Sequence, residues 1–273
     1  MDEEIIAIYC VCDDMLKAHG HNEDPQRRLT DAEVLTTALV AARFFGGNLE
    51  RARNLVAESR YMPGMVSKSR LNRRLHALAG WLATLFALLG ERFKQHNTES
   101  LYLLDSFPIT VCDNIRIPRA KLDRTAAFRG YIASKRRYFY GLRVYLLTTA
   151  QGEPVEAFLA PGATADVSAL RRFDFDLPPG STIYADSAFT WYVLEEILRE
   201  AADVPLQPVR KKNSRRPVPP YVAYLQSRGR KWIETAGSLL TGLLPKSIHA
   251  VTASGFELKV MLFLLAYSFS RIL

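Results

Sequence analysis

The sequence predicts an all-α module over residues 1–100 and an α/β domain over residues 101–273. Apolar residues recur at helical spacing through the first hundred residues, whereas short apolar runs bounded by turns begin at Leu101. The charge changes at the same place. The first part carries as many acidic as basic residues, so the whole net charge of +8 lies in the second part. A basic second domain favours a polyanionic partner.

Composition argues against several classes of protein. The 48% of hydrophobic and 23% of charged residues are ordinary for a globular chain, and three cysteines are too few for a disulfide framework. The acidic residues after Met1 are unlike a secretory leader. The apolar stretch from Val260 to Leu273 is shorter than the ~20 residues that a membrane span needs. We therefore expect a buried helix there, no membrane partner and a cytoplasmic, nucleoid-associated protein.

Helix signals are clearest in the first domain. Thr30-Asp-Ala-Glu33 fits a capping box and predicts a helix that ends at Gly46-Gly47. Further helices are predicted from Ser67 and from Trp81 to Phe93. The first turns of the Ser67 helix carry three arginines, Arg70, Arg73 and Arg74. Such a module is compatible with a helix-turn-helix DNA reader, and equally with a helical bundle whose arginines are solvated.

The second domain alternates predicted strands and helices. Strands are predicted at Leu101–Asp105, Tyr138–Thr149, Pro154–Leu159, Thr182–Asp186 and Val204–Val209. Helices are predicted at Asp166–Phe173, at Trp191–Ala202 and from Lys231 onward. This mixed order matches the ribonuclease H-like fold. Residues 211–220 combine prolines with basic residues and are predicted to form an exposed loop.

Two aspartates, Asp105 and Asp186, each end an apolar strand. Two carboxylates on neighbouring strands of a buried sheet repel each other unless a cation compensates them. A divalent metal does so, and Glu234 in an otherwise acid-free stretch offers a third ligand. This pattern indicates two Mg²⁺ or Mn²⁺ ions, an arrangement suited to phosphodiester cleavage. The alternative is that Asp186 caps the helix after it and Asp105 caps a turn.

Basic residues cluster in two acid-poor stretches. Residues 116–143 hold nine Lys and Arg against one acid, and residues 210–231 hold eight against none. Cationic surfaces bind phosphates by counterion release, and the tyrosines among them can stack on exposed bases. Solvated loops are the alternative. The residues predicted to contact DNA in these stretches are Lys121, Arg124, Lys135, Arg136, Arg137, Arg210, Lys211, Lys212, Arg215, Arg216 and Lys231.

Two other kinds of site are not favoured. Cys10 and Cys12 with His19 and His21 offer zinc-binding residue types, but positions two apart on a helix point to different faces. The sequence has no glycine-rich phosphate loop, so the use of ATP is not supported.

Four segments resemble transposases of the insertion-sequence 982 family: Ser67–His76, Leu104–Arg116, Tyr184–Asp186 and Leu244–Lys259. The resemblance spans most of the chain. It implies a DNA transposase of the DD(E) type that cleaves and transfers strands, with the carboxylate triad at Asp105, Asp186 and Glu234. The partners that it implies are terminal inverted repeats, target DNA and a second copy of the chain on paired ends.

Two positions depart from the family pattern. Ser187 stands where lysine is expected, and Thr235-Ala-Gly-Ser238 stands where Thr-Val-Phe-Ser is expected. A decayed or domesticated copy that only binds DNA is therefore one alternative function. A ribonuclease H-like nuclease acting on RNA–DNA hybrids is another.

Overall fold

The computed structural model describes residues 1–59, 61–112, 126–132, 136–211, 214, 216–244, 248, 250 and 252–273. For part of the helix Pro220–Leu243, including Glu234, it describes the backbone but not the side chains. The helices are α1 Asp2–Ala18, α2 Asp31–Phe44, α3 Leu49–Glu58, α4 Lys68–Ala77, α5 Ala79–His96, α6 Asp166–Ala169, α7 Tyr192–Ala201, α8 Pro220–Leu243 and α9 Ala253–Ile272. The strands are β1 Leu101–Cys112, β2 Arg129–Ile132, β3 Arg137–Thr149, β4 Pro154–Pro161, β5 Thr182–Ala185 and β6 Leu206–Pro208.

The chain divides into two compact units. The first joins residues 1–88 to residues 240–273, and the second comprises residues 89–239. The sequence assigns everything after residue 100 to one domain, whereas the C-terminal helix α9 packs against α2 and so lies in the helical unit. The physical reason is that α9 is apolar on most of its circumference, so it has to be covered on several sides.

The helical unit is built around α2, which contacts α1, α3, α4 and α9. The predicted capping box is confirmed: the Thr30 side chain accepts a hydrogen bond from the Glu33 amide, and the Glu33 carboxylate accepts one from the Thr30 amide. Helix α3 was not predicted, because only Ala52 and Val56 of its residues are buried and its apolar stripe is narrow.

One helix among the described residues, Ala253–Ile272, is long and apolar enough to cross a membrane by length and composition. Of its most apolar stretch, 61% is buried inside the protein. That burial matches the buried C-terminal helix predicted from the sequence.

The described strands form one mixed sheet. Strand β1 lies centrally, antiparallel to β3 on one side and parallel to β5 on the other, and β5 continues to β6 in parallel. Strand β4 pairs with β3, which gives the order β4-β3-β1-β5-β6. This is the strand order of a ribonuclease H-like sheet, so the predicted fold class is confirmed. Strand β2, an extra edge strand on the first residues of β3, was not predicted.

An aromatic cluster covers one face of this sheet. Tyr145 stacks on Phe158 with ring centroids 5.1 Å apart, and Phe173 meets Phe158 edge-on at 4.8 Å. Phe189 approaches Tyr145 edge-on from the turn after β5. Burial of these rings fixes the segments after β4 and β5 against the sheet. The strand ends that carry polar residues are thereby held in place.

Candidate active site

The two predicted aspartates lie on neighbouring strands, although β1 does not end at Asp105 as predicted but continues to Cys112, and only Asp186 follows the end of its strand. In the parallel pairing of β1 with β5, the last pair is Leu104 with Ala185, and Asp105 and Asp186 are the residues that directly follow this pair. Neighbouring strands are about 4.8 Å apart, and residues in register on parallel strands point to the same face. Both side chains are half-buried. The pairing therefore places the two aspartates on neighbouring strands, each one residue beyond the last parallel pair.

Each aspartate is oriented by the amide that follows it. Asp105 Oδ1 accepts a hydrogen bond from the Ser106 amide at 2.7 Å, and Asp186 Oδ1 accepts one from the Ser187 amide at 2.7 Å. Asp186 is also the N-cap of a short 3-10 turn, Ser187–Phe189, as the alternative interpretation expects. A carboxylate has two oxygens and several acceptor positions, so a capping bond to one oxygen is compatible with metal binding by the other.

A polar network that the sequence did not reveal braces β1 next to Asp105. Ser106, on the opposite face, donates to Asp166 at 2.8 Å and accepts from Arg143 of β3 at 3.1 Å. Tyr145 donates to the Thr164 carbonyl at 2.9 Å. Burial, reinforced by the Asp166 charge, raises the pKa of the Tyr145 hydroxyl and keeps it a neutral donor. The two partners of each of these hydrogen bonds lie far apart in the sequence, so no local sequence pattern predicts them.

The third predicted ligand, Glu234, lies on α8, and its side chain is outside the described residues. The structure does describe how α8 is anchored. Gln226 Nε2 donates to the carbonyl of Gln207 at 3.1 Å and to that of Pro208 at 3.3 Å, both at the end of β6. This helix is therefore tied to the edge of the sheet two strands away from β1.

An exposed aromatic pair marks the β2–β3 hairpin. Tyr131 and Tyr138 are opposite each other in the register, 46% and 50% exposed, with ring centroids 5.0 Å apart. The Arg129 guanidinium lies 4.6 Å from the centre of the Tyr138 ring. Arg136 adopts a left-handed backbone with φ 46°, which is unfavourable for a residue with a Cβ.

A family model described as a transposase DDE domain matches residues 95–244, which is more than half of the chain. This chain belongs to the DDE transposase family. The match contains Asp105, Asp186 and the position of Glu234. Membership also implies that the transposase depends on divalent metal ions, and the paired Asp105 and Asp186 carboxylates offer the hard oxygen ligands that such ions prefer.

Two curated proteins are similar over 198 residues. They are UDP-N-acetylmuramoylalanine–D-glutamate ligases of Burkholderia pseudomallei (strain 668), 29% identical, and of Burkholderia thailandensis (strain E264), 28% identical. Each match covers 71% of this chain and 36% of the relative, so the chain spans about a third of the length of the curated relatives it matches. Among solved structures, a piggyBac transposase synaptic complex with hairpin DNA gives a TM-score of 0.49 at 11% identity, covering 99% of this chain and 73% of that one.

The cationic residues predicted to contact DNA fall into three groups. Arg70, Arg73, Arg136, Arg137, Lys211 and Lys231 are exposed. Arg74, Arg210 and Arg216 have acidic partners within the transposase. Lys121, Arg124, Lys135, Lys212 and Arg215 lie outside the described residues.

Arg74, one of the residues predicted to contact DNA, is part of an ion-pair network within the helical unit. Its guanidinium binds the Asp31 carboxylate and donates to the Leu29 carbonyl at 2.5 Å. Arg27 and His21 bind the same carboxylate at 2.7 and 2.8 Å. Burial alone would raise the pKa of Asp31, but hydrogen bonds from Arg74 and His21, together with the charges of Arg74 and Arg27, hold it below its usual range. Helix α4 is thus fastened to α2, and Arg74 is withdrawn from solvent.

The carboxylate of Glu23 joins this network and completes a group whose ligand atoms lie within 4.8 Å, His21, Glu23 and Asp31. Its oxygen accepts the Asp31 amide at 2.8 Å. Two guanidinium groups already contact Asp31, and they would repel a metal ion. The cluster is therefore an ion-pair network. A zinc site at Cys10 and Cys12 is not favoured either, because Cys10 is exposed whereas Cys12 is buried. Burial raises the pKa of the Cys12 thiol to about 12.

Arg210 is a second structural arginine of the transposase. Both of its terminal nitrogens bind Glu195 of α7, and both side chains are almost wholly buried. Arg216 pairs with Glu196 at 2.5 Å, and both guanidinium groups lie over the Tyr192 ring. These two arginines thus pack on α7, and α8 begins at Pro220. Residues 220–231 of the second basic stretch are helical, because they belong to α8.

Proposed function

We propose that this transposase cleaves DNA at the ends of a mobile element and joins those ends to target DNA. The observation that supports the proposal is the parallel pairing of β1 with β5, whose last pair, Leu104 and Ala185, directly precedes Asp105 and Asp186. Carboxylates on neighbouring strands offer the hard oxygen ligands that divalent metal ions prefer.

Asp105, Asp186 and Glu234 would hold two Mg²⁺ or Mn²⁺ ions. When bound, such ions lower the pKa of an attacking water or hydroxyl and stabilise the leaving oxygen of a phosphodiester. The contribution of the chain is to fix the ligands. The Ser106 and Ser187 amides orient one oxygen of each aspartate, and the Ser106–Asp166–Arg143 network limits movement of β1 against β3. Positioning of this kind is what metal-dependent phosphoryl transfer requires from a protein.

Part of the DNA contact is proposed for the β2–β3 hairpin. Tyr138 lies eight residues along β3 from Leu146, the partner of Asp105. At ~3.4 Å per residue this separation is roughly 27 Å, or about eight nucleotides of a strand at 3.4 Å per step. The hairpin would therefore contact DNA well away from the cleaved bond, with its arginines on phosphates and its tyrosines on exposed bases.

The resemblance to the insertion-sequence 982 family supports a finer proposal. The substrates would be terminal inverted repeats and target DNA, bound by two copies of the chain. Arg70 and Arg73, which are both exposed on α4 of the helical unit, would help to recognise the sequence of the repeats. The protein would act in the cytoplasm on the nucleoid.

Cleavage of the element's own ends by the full-length chain tests the proposal. Asp105→Asn and Asp186→Asn should each abolish strand cleavage in Mg²⁺ while end binding in a gel shift stays as in the wild type. Asp176→Asn is the matched control, because this aspartate is 89% exposed on the surface. Cleavage by Asp105→Asn at the wild-type rate would place the chemistry elsewhere. A wild-type chain that binds ends and cleaves none, in Mg²⁺ or Mn²⁺, would be a DNA-binding protein.

A further inference from the structure

Two neighbouring arginines follow the short helix α6 in the sheet unit, and their side chains have different surroundings. Arg172 donates to the Leu159 carbonyl at 3.0 Å and lies over the Phe158 ring, 4.4 Å from its centre. Arg171 is exposed, and within the described part of the chain it forms no ion pair. Its guanidinium lies 5.0 Å from the centre of the Trp191 ring. Arg172 therefore fastens its segment to β4, whereas Arg171 presents its charge to solvent.

The backbone on both sides of this contact is fixed. The Trp191 amide donates to Glu195 Oε1 at 3.1 Å, and the Glu195 carboxylate is buried and bound by Arg210. Leu170, directly before Arg171, is also buried. A guanidinium within about 6 Å of a ring centre is attracted to the ring, while the N–H donors in its plane stay available to a ligand. The Trp191 ring is thus a platform that orients an exposed cation.

Trp191 lies close along the chain to one of the two aspartates of the carboxylate site. It is the fifth residue after Asp186, and five residues span at most about 18 Å even when fully extended. The actual path is shorter, because Ser187–Phe189 forms a 3-10 turn, which rises only about 2 Å per residue. The buried Phe189 ring fixes this turn against the sheet. The guanidinium over Trp191 is therefore a neighbour of the carboxylate site.

A second connection leads from Arg171 to the other aspartate. Asp166 Oδ1 accepts a hydrogen bond from the Ser106 hydroxyl at 2.8 Å, and Ser106 directly follows Asp105. Residues 166–172 form α6 and a further 3-10 turn, so the path from Asp166 to Arg171 advances roughly 8–10 Å at about 1.5–2 Å per residue. Together the two connections keep Arg171 within about five nucleotide steps of the carboxylates, at ~3.4 Å per step.

We propose that Arg171, oriented by Trp191, binds one backbone phosphate of the DNA strand within about five nucleotides of the cleaved bond. The inference rests on the proposed function and adds to it a residue that positions the strand beside the carboxylates. A guanidinium suits this role, because its paired N–H donors match two oxygens of a phosphate. Phosphate contacts fix the register of a strand without reading its sequence. Arg171 would therefore act on every DNA end alike.

Neutral phosphates placed one at a time in a duplex of the element's own end test the proposal. A methylphosphonate removes the charge of one phosphate and leaves every base unchanged. Affinity of the full chain is measured by fluorescence anisotropy with metal chelated, so that the DNA stays intact. In the wild type, a methylphosphonate at one position within about five nucleotides of the cleaved bond should weaken binding by roughly tenfold, the usual consequence of losing a charged hydrogen bond. Arg171→Met should bind the unmodified duplex roughly tenfold more weakly and should lose the sensitivity at that one position.

Further variants separate the contact from folding and from general charge. Because Arg171 is exposed, the Tm of Arg171→Met should stay within about 2 °C of the wild type. Trp191→Leu removes the platform and should reduce the sensitivity at the same phosphate, whereas Trp191→Phe keeps an aromatic face and should restore it. Arg199→Met is the matched control, since this arginine is 60% exposed and lies 3.9 Å from Glu200. It should show the wild-type affinity at every modified position.

Two results would overturn the inference: Arg171→Met with the wild-type pattern of phosphate sensitivity, or a loss in Arg171→Met that depends on the base at that position and not on the phosphate. Asp105→Asn separates this inference from the catalytic proposal, since it should lose cleavage and keep the phosphate pattern. A wild type that cleaves, with an unchanged pattern in Arg171→Met, would leave the carboxylate site standing and remove the arginine contact. A wild type that shows the Arg171 contact and cleaves no end would do the reverse.

Discussion

Arginines on the β2–β3 hairpin and arginines beside α7 have opposite surroundings, although both come from acid-poor stretches of the sequence. Arg136 and Arg137 are exposed next to an exposed pair of tyrosines. Arg210 is buried against Glu195, and Arg216 reaches Glu196. The acids that bind them, Glu195 and Glu196, lie on α7 before the basic stretch begins. A count of charges within residues 210–231 therefore misses them. A basic run is therefore a DNA-binding surface only where the fold leaves its cations in solvent.

The largest effect is expected where an acid holds buried cations. Asp31→Asn should lower the free energy of unfolding of the helical unit by about 3–5 kcal/mol, because Arg74 loses its charged partner in a buried place. Urea unfolding followed by circular dichroism measures this. Asp24→Asn, an exposed change in the preceding loop, should shift stability by less than about 0.5 kcal/mol. A wild-type midpoint for Asp31→Asn would mean that the network is only a surface feature.

Glu195→Gln should have the next largest effect. Glutamine keeps one acceptor for Arg210 but loses the charge, so we expect a loss of about 2–3 kcal/mol, the range for hydrogen bonds to charged groups. Glu196→Gln, on the neighbouring and more exposed pair, should cost less than about 1 kcal/mol. Equal losses from the two variants would show that burial does not separate these arginines.

Lowering the pH should weaken the ion-pair network around Asp31. The pKa of Asp31 is lowered in the folded chain, so its contribution is fully present above the ordinary carboxyl pKa of about 4 and is lost as pH falls through the lowered folded value. The difference in stability between wild type and Asp31→Asn should therefore shrink below pH ~4. Denaturant titrations at a series of pH values measure it, and a constant difference down to the most acidic point would contradict the assignment.

The smallest effect on stability, and the clearest on DNA, is expected at the hairpin. Arg136→Ala with Arg137→Ala should leave the free energy of unfolding within about 0.5 kcal/mol, since both side chains are exposed. The slope of log affinity against log salt should become shallower by about one unit for each phosphate that the variant no longer binds. An unchanged slope would make the hairpin arginines solvated surface, and the contrast with Arg210 would disappear.

Local signals in the sequence predicted much of the fold. The capping box at Thr30 defined the start of α2, and the apolar runs before Asp105 and Asp186 predicted two strands that pair in parallel, although β1 continues past Asp105 to Cys112. Helix α8 was predicted to start at Lys231 because Pro217, Pro219 and Pro220 suggest a loop. Pro220 instead occupies the first helical position, where proline is tolerated because the helix needs no amide donor there.

Long-range pairing could not be predicted from spacing. Arg74 binds an aspartate 43 residues earlier, and Ser106 donates to an acid 60 residues later. Strand β2 has only four residues, and its central Gly130 weakens any strand signal. The role of Glu234 stays a prediction, as its side chain lies outside the described residues.

The return of α9 to the helical unit has a consequence for synthesis on the ribosome. Residues 1–88 are made first, but the helix that covers α2 follows more than 160 residues later. At translation rates of about 5–20 residues per second, the nascent helices wait on the order of 10–30 s for α9. The sheet unit, continuous in sequence from residue 89 to residue 239, has its whole chain available sooner. Premature termination shortly before α9 would thus spare the unit with the aspartates and leave the helical unit without its cover.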